Sequence, residues 1–195
     1  ADMMNARAAE IGCVNTHFSN PHGLDDPTHY TTAADLAHLA AYCLSNPRFH
    51  AIVSTYRTTI PLCGSQGTRV LINHNRLLKQ YDGAVGVKTG FTKHSGRCLV
   101  SAAERDGVQL IAVTLNAPDD WRDHTAMLDY GFSRFTTVLL TERGQETFVL
   151  PAVGGDSDSL TVRNDEPLLV VLPANHGEIR TQIQLPRFVY APVAA

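Results

Sequence analysis

The residues of this sequence best suited to chemistry are Lys88, Thr89 and Gly90, which end a short apolar run in the stretch GAVGVKTGFTKHSGRC. They place an ammonium group, a hydroxyl group and a backbone without a Cβ next to one another. A cation fixed in this way can act on negative charge that develops during a reaction. A lysine at the end of a strand can equally be an ordinary surface residue, so the meaning of the triplet depends on what surrounds it.

Composition argues against several other kinds of chemistry. The formal net charge is −3, and the 16 Lys and Arg residues are scattered, so nothing indicates a nucleic-acid partner. No apolar run approaches the roughly 20 residues that span a bilayer. The nine His and four Cys show neither C-x-x-C nor H-E-x-x-H spacing. We therefore predict no metal site and no other cofactor, with the cysteines acting as small buried hydrophobes.

The triplet lies in the first of three runs that have the pattern of strands, AVGVKT, CLVSAAE and VQLIAVTL. Asp106-Gly107 joins the last two, and Asp-Gly between apolar runs is a strong hairpin signal. We predict an antiparallel meander over residues 84–115, packed beneath a helix from about 120 to 135. The apolar face of that helix is predicted to consist of Trp121, Leu128, Phe132 and Phe135.

Helices are predicted before the sheet. One covers residues 2–11 and ends at Gly12. A second begins at Thr32, whose position three residues before Asp35 has the form of an N-terminal cap, and it ends at Asn46-Pro47. A short helix and an extended segment are predicted for RFHAIVST and YRTTIPL.

Beyond residue 140 the pattern changes to short β-type runs, ETFVLPAV, SLTVRN, PLLVVLP and EIRTQIQLP. The predicted fold class is α/β in the α+β sense. Residues 1–140 should form an antiparallel sheet flanked by helices, and residues 145–195 a small β-rich module, which we expect to be truncated.

Five segments give the triplet a context: NTHFSNPHGLDD, YTTAADLA, NHNRLL, GVKTGFT and LDYGF occur in that order. With this order and rough spacing they resemble the serine D-alanyl-D-alanine carboxypeptidases, the low-molecular-mass penicillin-binding proteins. K-T-G is the third motif of that superfamily. The resemblance covers residues 1–140 closely and residues 145–192 more loosely, and it implies the fold shared by serine DD-peptidases and β-lactamases.

The resemblance implies a role for each residue of the K-T-G strand. Lys88 would assist proton transfer at the catalytic hydroxyls and attract an anionic substrate, and Thr89 would hydrogen-bond the substrate carboxylate. Gly90 would let the substrate backbone lie against the strand. The backbone N–H of Phe91 would be one of two oxyanion donors. The implied activity is removal of the terminal D-Ala from peptidoglycan stem peptides through an acyl-enzyme, with acylation by β-lactams.

Two residues are candidates for a second contact with the substrate carboxylate. The family often carries an arginine in the N-x-N region or early in the helix before the G-F pair. His74 occupies the first place, and Arg122 lies near the second. A guanidinium binds carboxylate bidentately and a neutral imidazole does not, although Arg122 could equally be a solvated surface charge. Asn73 and Asn75 are expected to order the loop beside the cleft.

The first two motifs of the family do not occur in this sequence. No serine begins an S-x-x-K tetrad, and there is no S-x-N triplet. We therefore expect the chain alone to be inactive. It should need the N-terminal half of the same enzyme, or self-association, to cover its sheet. The parent enzyme is expected to be exported, membrane-associated and extracytoplasmic.

Two alternatives remain at this point. A β-lactamase-like hydrolase shares the K-T-G strand but normally lacks a following β-domain, so ETFVLPAV onward argues against it. A non-catalytic cell-wall-binding or partner-binding module derived from the family is compatible with the absent serine. It does not explain why the triplet and its neighbours are retained.

Overall fold

The computed structural model describes residues 1–64 and 66–191. The chain divides into two compact units, residues 1–133 and residue 134 onward. The helices that begin in the first unit are α1 (Asp2–Glu10), α2 (Ala33–Leu44), α3 (Pro47–Ser54), α4 (Leu77–Gln80) and α5 (Asp120–Arg134). Its strands are β1 (Arg57–Pro61), β2 (Thr68–Ile72), β3 (Ala84–Thr92), β4 (Gly96–Arg105) and β5 (Val108–Thr114). Within the described ranges, no helix is long and apolar enough to cross a membrane.

Side-chain caps set where helices α2 and α3 begin. Thr32 Oγ1 accepts a hydrogen bond from the backbone N–H of Asp35 at 3.1 Å, which confirms the predicted start of α2. Asn46 has a role that the sequence analysis missed, because it caps the next helix. Its Oδ1 accepts from the N–H of Arg48 and Phe49, and Pro47 is the first residue of α3. Proline suits that position since its missing N–H would have no helical partner.

The meander is confirmed as an antiparallel sheet in the order β3-β4-β5. In its register Lys88 pairs with Val100, and Val100 pairs with Val113. Asp106 and Gly107, which join β4 to β5, have φ angles of 49° and 79°. Two residues with positive φ are what a tight type I′ hairpin turn requires, so the Asp-Gly signal was read correctly.

The face of the sheet toward α5 is closed by a buried cluster. Its members are Leu77, Tyr81, Leu99, Ala103, Ala112 and Leu128, with Trp121 and Phe132 packed against them. Leu99 and Leu128 are each only 1% exposed. Three of the four residues predicted for the apolar face of α5 therefore pack as expected. Phe135 does not, because the helix ends at Arg134 and Phe135 begins a strand.

A buried histidine lies in the same interface between α5 and the sheet. His124 is fully buried, with Nδ1 2.5 Å from Ser101 Oγ on β4 and Nε2 2.9 Å from Thr114 Oγ1 on β5. Burial lowers the pKa of His124 to about 4, although the nearby carboxylates of Asp120 and Asp123 act in the opposite direction. The imidazole is therefore neutral at pH 7 and links α5 to two strands through hydroxyl groups.

The opposite face of the sheet is less completely covered. A smaller buried cluster there joins α2 to the sheet through Ala40, Leu44, Val87 and Ala102. Beside it lies an open apolar trough of about 520 Å³. We call this the apolar trough; it is lined by His29, Leu36, Leu39, Ala40, Cys43, Phe49, Val53, Val87, Lys88, Thr89, Gly90, Cys98, Leu99 and Val100.

The second unit is built from small sheets. Strand β6 (Phe135–Thr141) pairs antiparallel with β9 (Leu168–Pro173). Strand β7 (Thr147–Val153) lies between β8 (Ser159–Arg163) and the short β10 (Val189–Tyr190). Three of the four predicted β-type runs are strands. The prediction for EIRTQIQLP was wrong, since residues 178–186 contain no strand, and β6 was not predicted.

Candidate active site

The K-T-G residues line one wall of a cleft of about 620 Å³. Lys88, Thr89, Gly90 and Phe91 follow one another along this wall, and the loop at residues 73–76 forms another. The lining residues are Asn73, His74, Arg76, Lys88, Thr89, Gly90, Phe91, Arg97, Cys98, Asp120 and Trp121. Of the site residues predicted from sequence, all except Arg122 therefore face the same cleft.

Strand β3 lies at the edge of its sheet. An edge strand leaves alternate backbone N–H and C=O groups without a strand partner, and an extended peptide can pair with them. The Lys88 side chain is exposed, and its Nζ donates to the carbonyl of Thr89. The ammonium is therefore held beside the strand that carries it.

Gly90 is not required by the packing of the chain itself. Its φ does not lie in the left-handed region. A Cβ added there would approach no described atom beyond its chain neighbours more closely than 3.7 Å, the distance to Cβ of Cys98. That is an ordinary van der Waals contact. Any need for glycine at this position therefore comes from something that lies against the strand.

Two asparagines hold the loop that forms the second wall. Asn75 is fully buried; its Nδ2 donates to the carbonyl of Gly86 at 2.8 Å, and its Oδ1 accepts from the N–H of Leu77. Asn73 Oδ1 accepts from the N–H of Asn75, and its Nδ2 donates to the carbonyl of Val53. These bonds confirm that Asn73 and Asn75 order the loop. They fix the backbone on either side of His74.

Two arginines that the sequence analysis did not single out, Arg76 and Arg97, lie beside Trp121 in the lining of the cleft, and we call this region its arginine end. Arg97 of β4 donates to Asp120 Oδ1 at 2.7 Å, and Asp120 is only 3% exposed. This hydrogen bond holds the pKa of the Arg97 guanidinium above its ordinary value. The guanidinium carbons of Arg76 and Arg97 each lie 5.9 Å from the centre of the Trp121 ring.

The cleft therefore concentrates positive charge. Arg76, Lys88 and Arg97 line it, against the single carboxylate of Asp120, which is already paired. The Nε of Arg97 is buried and has no hydrogen-bond partner among the described residues. An anion with two oxygens could be bound here by guanidinium groups and by the Thr89 hydroxyl.

Arg122 lies elsewhere. Its side chain is 85% exposed, it faces Asp119 at 3.8 Å, and it is not among the residues that line the cleft. The interpretation of Arg122 as a solvated surface charge, which the sequence left open, agrees with this position. His74 does line the cleft, two residues before Arg76. In the described parts of the chain, no group of His, Cys, Asp and Glu side chains could hold a metal ion.

Comparison with known proteins, by sequence and by structure, finds D-alanyl-D-alanine carboxypeptidases and a DD-transpeptidase. Residues 1–119 match the D-alanyl-D-alanine carboxypeptidase family. The chain is 30% identical over 195 residues to the D-alanyl-D-alanine carboxypeptidase DacF of Bacillus subtilis, covering 97% of this chain and 50% of the relative.

Two solved structures are similar to the chain. A variant of a Streptomyces DD-transpeptidase matches with a TM-score of 0.65 and 35% identity, over 68% of this chain and 54% of the other. The D-alanyl-D-alanine carboxypeptidase DacD of Francisella tularensis matches with a TM-score of 0.64 and 25% identity, over 89% and 55%. The chain spans about half the length of the curated relatives it matches.

Proposed function

The chain belongs to the D-alanyl-D-alanine carboxypeptidase family, and on that premise we propose that it forms one wall of the active site of a serine DD-carboxypeptidase. The whole enzyme removes the terminal D-Ala from peptidoglycan stem peptides through an acyl-enzyme, and penicillins acylate the same serine. Because such peptides belong to the cell wall, the enzyme works outside the cytoplasmic membrane.

The observation that carries the proposal is the alignment of four residues along one cleft wall. Lys88, Thr89, Gly90 and Phe91 follow each other on an edge strand that an extended peptide can join. Lys88 brings a fixed cation to the charge that develops during acyl transfer, and the Phe91 N–H serves as an oxyanion donor. Gly90 provides space for the substrate backbone, a role that agrees with the room around it.

We assign the substrate carboxylate to the arginine end of the cleft. Thr89 and Arg97 supply the hydroxyl and the guanidinium, with Arg76 and His74 beside them. Asp120 prepares Arg97 for this task, because the ion pair keeps the guanidinium in place while 42% of the Arg97 side chain remains exposed. Arg122, the first candidate from sequence, has its charge in solvent instead.

The nucleophile has to come from another part of the enzyme. The sequence contains no S-x-x-K tetrad, so this chain alone is inactive. The apolar trough borders Lys88, Thr89 and Gly90 from the side opposite α5, and it suits an apolar element that carries a nucleophile to the K-T-G strand. We propose that the half of the family fold not matched by this chain packs there. The alternative occupant of the trough is a second copy of this chain. The solution mass of the 195-residue chain distinguishes the two occupants, because only the second copy would make the chain self-associate.

Labelling with a fluorescent penicillin tests the function. In the intact protein, Lys88→Ala should lower the acylation rate by orders of magnitude while the fold survives. Lys93→Ala is the matched control, since Lys93 is an exposed lysine of the same hairpin that does not line the cleft. Equal rates in Lys88→Ala and the parent would refute the role. Rapid release of hydrolysed penicillin, without release of D-Ala from peptides, would favour a β-lactamase.

Peptide hydrolysis tests the carboxylate assignment. Arg97→Leu should lower kcat/KM for a peptide ending in D-Ala-D-Ala by about a hundredfold, because a charged hydrogen bond to substrate is lost in a half-buried site. Arg122→Leu removes the same charge from an exposed position and should change kcat/KM less than twofold. The assignment fails if Arg122→Leu is the more damaging substitution.

A further inference from the structure

An indole ring lies beside the guanidinium to which the proposed function assigns the substrate carboxylate. Trp121 lines the cleft together with Thr89 and Arg97, and the centre of its ring lies 5.9 Å from Cζ of Arg97. Cζ of Arg76 lies at the same distance from the ring. Two guanidinium groups are therefore within cation–π range of one indole at the arginine end of the cleft.

The core of the protein holds this ring in place. Trp121 is partly exposed to the cleft, and it also packs against the buried cluster that includes Leu128, about two helical turns further along α5. The residue before it, Asp120, is 3% exposed and accepts the 2.7 Å hydrogen bond from Arg97. Neighbouring residues of one helical turn thus anchor both the ring and the guanidinium, so the spacing between them is fixed.

This spacing brings the ring within reach of the side chain of the terminal substrate residue. In a bidentate pair, the carboxylate carbon lies about 4 Å from the guanidinium carbon. The Cβ of the same residue is two bonds away from the carboxylate carbon, so it lies at most about 6.5 Å from Cζ of Arg97. The ring of Trp121 falls within that range.

The remaining substituents of the terminal Cα leave its side chain little choice of direction. In the proposed function the carboxylate is bound at Thr89 and Arg97, and the amide nitrogen belongs to the scissile bond, whose carbonyl lies at the Phe91 N–H. With these two groups held, the D configuration gives Cβ a single direction. A methyl group can lie in van der Waals contact with the indole, whereas a longer side chain has to displace a ring that packs on the core.

We propose that Trp121 is a specificity-determining residue, which limits the side chain of the departing residue to about the size of a methyl group. This inference rests on the proposed function, because the position of the carboxylate comes from it. It assigns to the indole a task that the charged groups of the cleft cannot perform, since a carboxylate is present on every terminal residue whatever its side chain.

Three acetylated peptides with the same upstream sequence test the proposal in the intact protein. They end in D-Ala followed by D-Ala, D-2-aminobutyrate or D-Leu, so that only the size of the last side chain changes. We expect kcat/KM to fall about tenfold for D-2-aminobutyrate and about a hundredfold for D-Leu, because each added carbon meets a wall that does not yield.

Substitutions of the ring should change this selectivity. Trp121→Leu keeps an apolar side chain on the core but shortens the wall, and it should reduce the hundredfold difference between D-Ala and D-Leu to about fivefold. Trp121→Phe keeps a ring and should retain most of the difference. Each ratio compares two peptides in the same protein, so a uniform loss of activity through Arg97 cancels.

The matched control lies on the same helix. Tyr130 is 66% exposed and does not line the cleft, and Tyr130→Leu should keep the hundredfold difference. Penicillin labelling of each variant reports whether its active site is assembled.

The outcomes separate the inference from the function beneath it. Hydrolysis of the D-Leu peptide by the parent protein within about threefold of the D-Ala peptide overturns the role of Trp121 alone. So does an unchanged ratio in Trp121→Leu, or an equal loss of selectivity in Tyr130→Leu. The parent comparison needs no substitution, so a poorly folded variant does not protect the inference. Absence of both D-Ala-D-Ala hydrolysis and penicillin labelling in the parent overturns the proposed function and this inference with it.

Discussion

The two faces of the β3–β5 sheet are built from alternating residues of the same strands, yet they differ in how completely they are covered. Leu99 points toward α5 and is 1% exposed, whereas the next residue, Val100, is partly exposed beside the apolar trough. Both faces are apolar. The difference therefore lies in what packs against them, and a sheet of this composition is stable only where a partner element is supplied.

The apolar trough lies on the less covered face of the sheet and borders the K-T-G residues Lys88, Thr89 and Gly90. The α5 side fixes Asp120 and Trp121 at one end of the cleft, and the trough side leaves room next to Lys88, Thr89 and Gly90. One face thus provides a rigid support and the other provides access for a further element. The following three predictions test this contrast, beginning with the largest expected effect.

Two leucines on the flanking helices offer the sharpest comparison. Leu128→Ala on α5 should lower the free energy of unfolding of the 195-residue chain by about 3 kcal/mol, because it opens a cavity in a closed core. Leu39→Ala on α2 should cost about 1 kcal/mol, since its side chain already borders the open trough. Both variants make the same change in helix propensity, and denaturant unfolding measures both.

The same pair tests the occupant of the trough. In the intact protein we expect the cost of Leu39→Ala to rise to that of Leu128→Ala, because Leu39 is then covered. Equal costs for the two variants in the 195-residue chain, with no binding of an apolar-surface dye, would show that the trough is already closed.

Acid should destabilise the α5 side specifically. The pKa of His124 is about 4 in the folded chain and 6.5 in its ordinary state, so the folded state favours the neutral imidazole. This stabilisation is complete above pH 6.5 and is lost as the pH falls from 6.5 toward 4. Unfolding free energy should drop by about 2–3 kcal/mol between pH 7 and pH 4.5.

Substitutions separate this effect from general acid denaturation. His124→Asn should remove most of the slope of the unfolding free energy against pH over that range. His38→Asn, at an exposed position on α2, should retain it. If both variants keep the slope, other groups are responsible for it.

Two valine substitutions test the same difference between the closed and the open face of the sheet, with smaller expected losses of unfolding free energy. Val108→Thr places a hydroxyl at a position that is 4% exposed and should cost about 1–2 kcal/mol. Val100→Thr places the same hydroxyl beside the trough and should cost less than about 0.5 kcal/mol. Thermal or denaturant unfolding of the 195-residue chain measures both. A larger cost for Val100→Thr would reverse the assignment of closed and open faces.

Short-range signals in the sequence predicted most of the first unit. Thr32 and Asp35 lie three residues apart and complete a cap without help from the rest of the chain. Asp106-Gly107 likewise determines its own turn, and with it the antiparallel order of β4 and β5. Such features depend on neighbouring residues alone, which is why they could be read from a single sequence.

The arginine end of the cleft could not be read in this way. Arg97 faces Trp121 and Asp120 only because strand register and helix packing bring β4 and α5 together. Arg122 follows Trp121 directly, but a helix turns by about 100° per residue, so its side chain points away from the cleft. Motif spacing along a sequence does not reveal whether a side chain faces the cleft or points away from it.

The second unit shows the corresponding limit for strands. Residues 178–186 and 135–141 both have β-type character, yet only the latter form a strand, β6, which pairs with β9. Strand propensity describes how residues fit a pleated surface, and it does not reveal whether a partner strand is available.

The bonds of His124 also determine where helix α5 can lie along its own axis. Apolar contacts of Leu128 and Phe132 would tolerate sliding, whereas an imidazole bonded at both ring nitrogens has one register that keeps both partners. Asp120 lies about one helical turn before His124, so any longitudinal shift of the helix would move it away from Arg97. His124, a buried side chain that does not line the cleft, thus sets the position of Asp120 and Arg97 at the arginine end of the cleft.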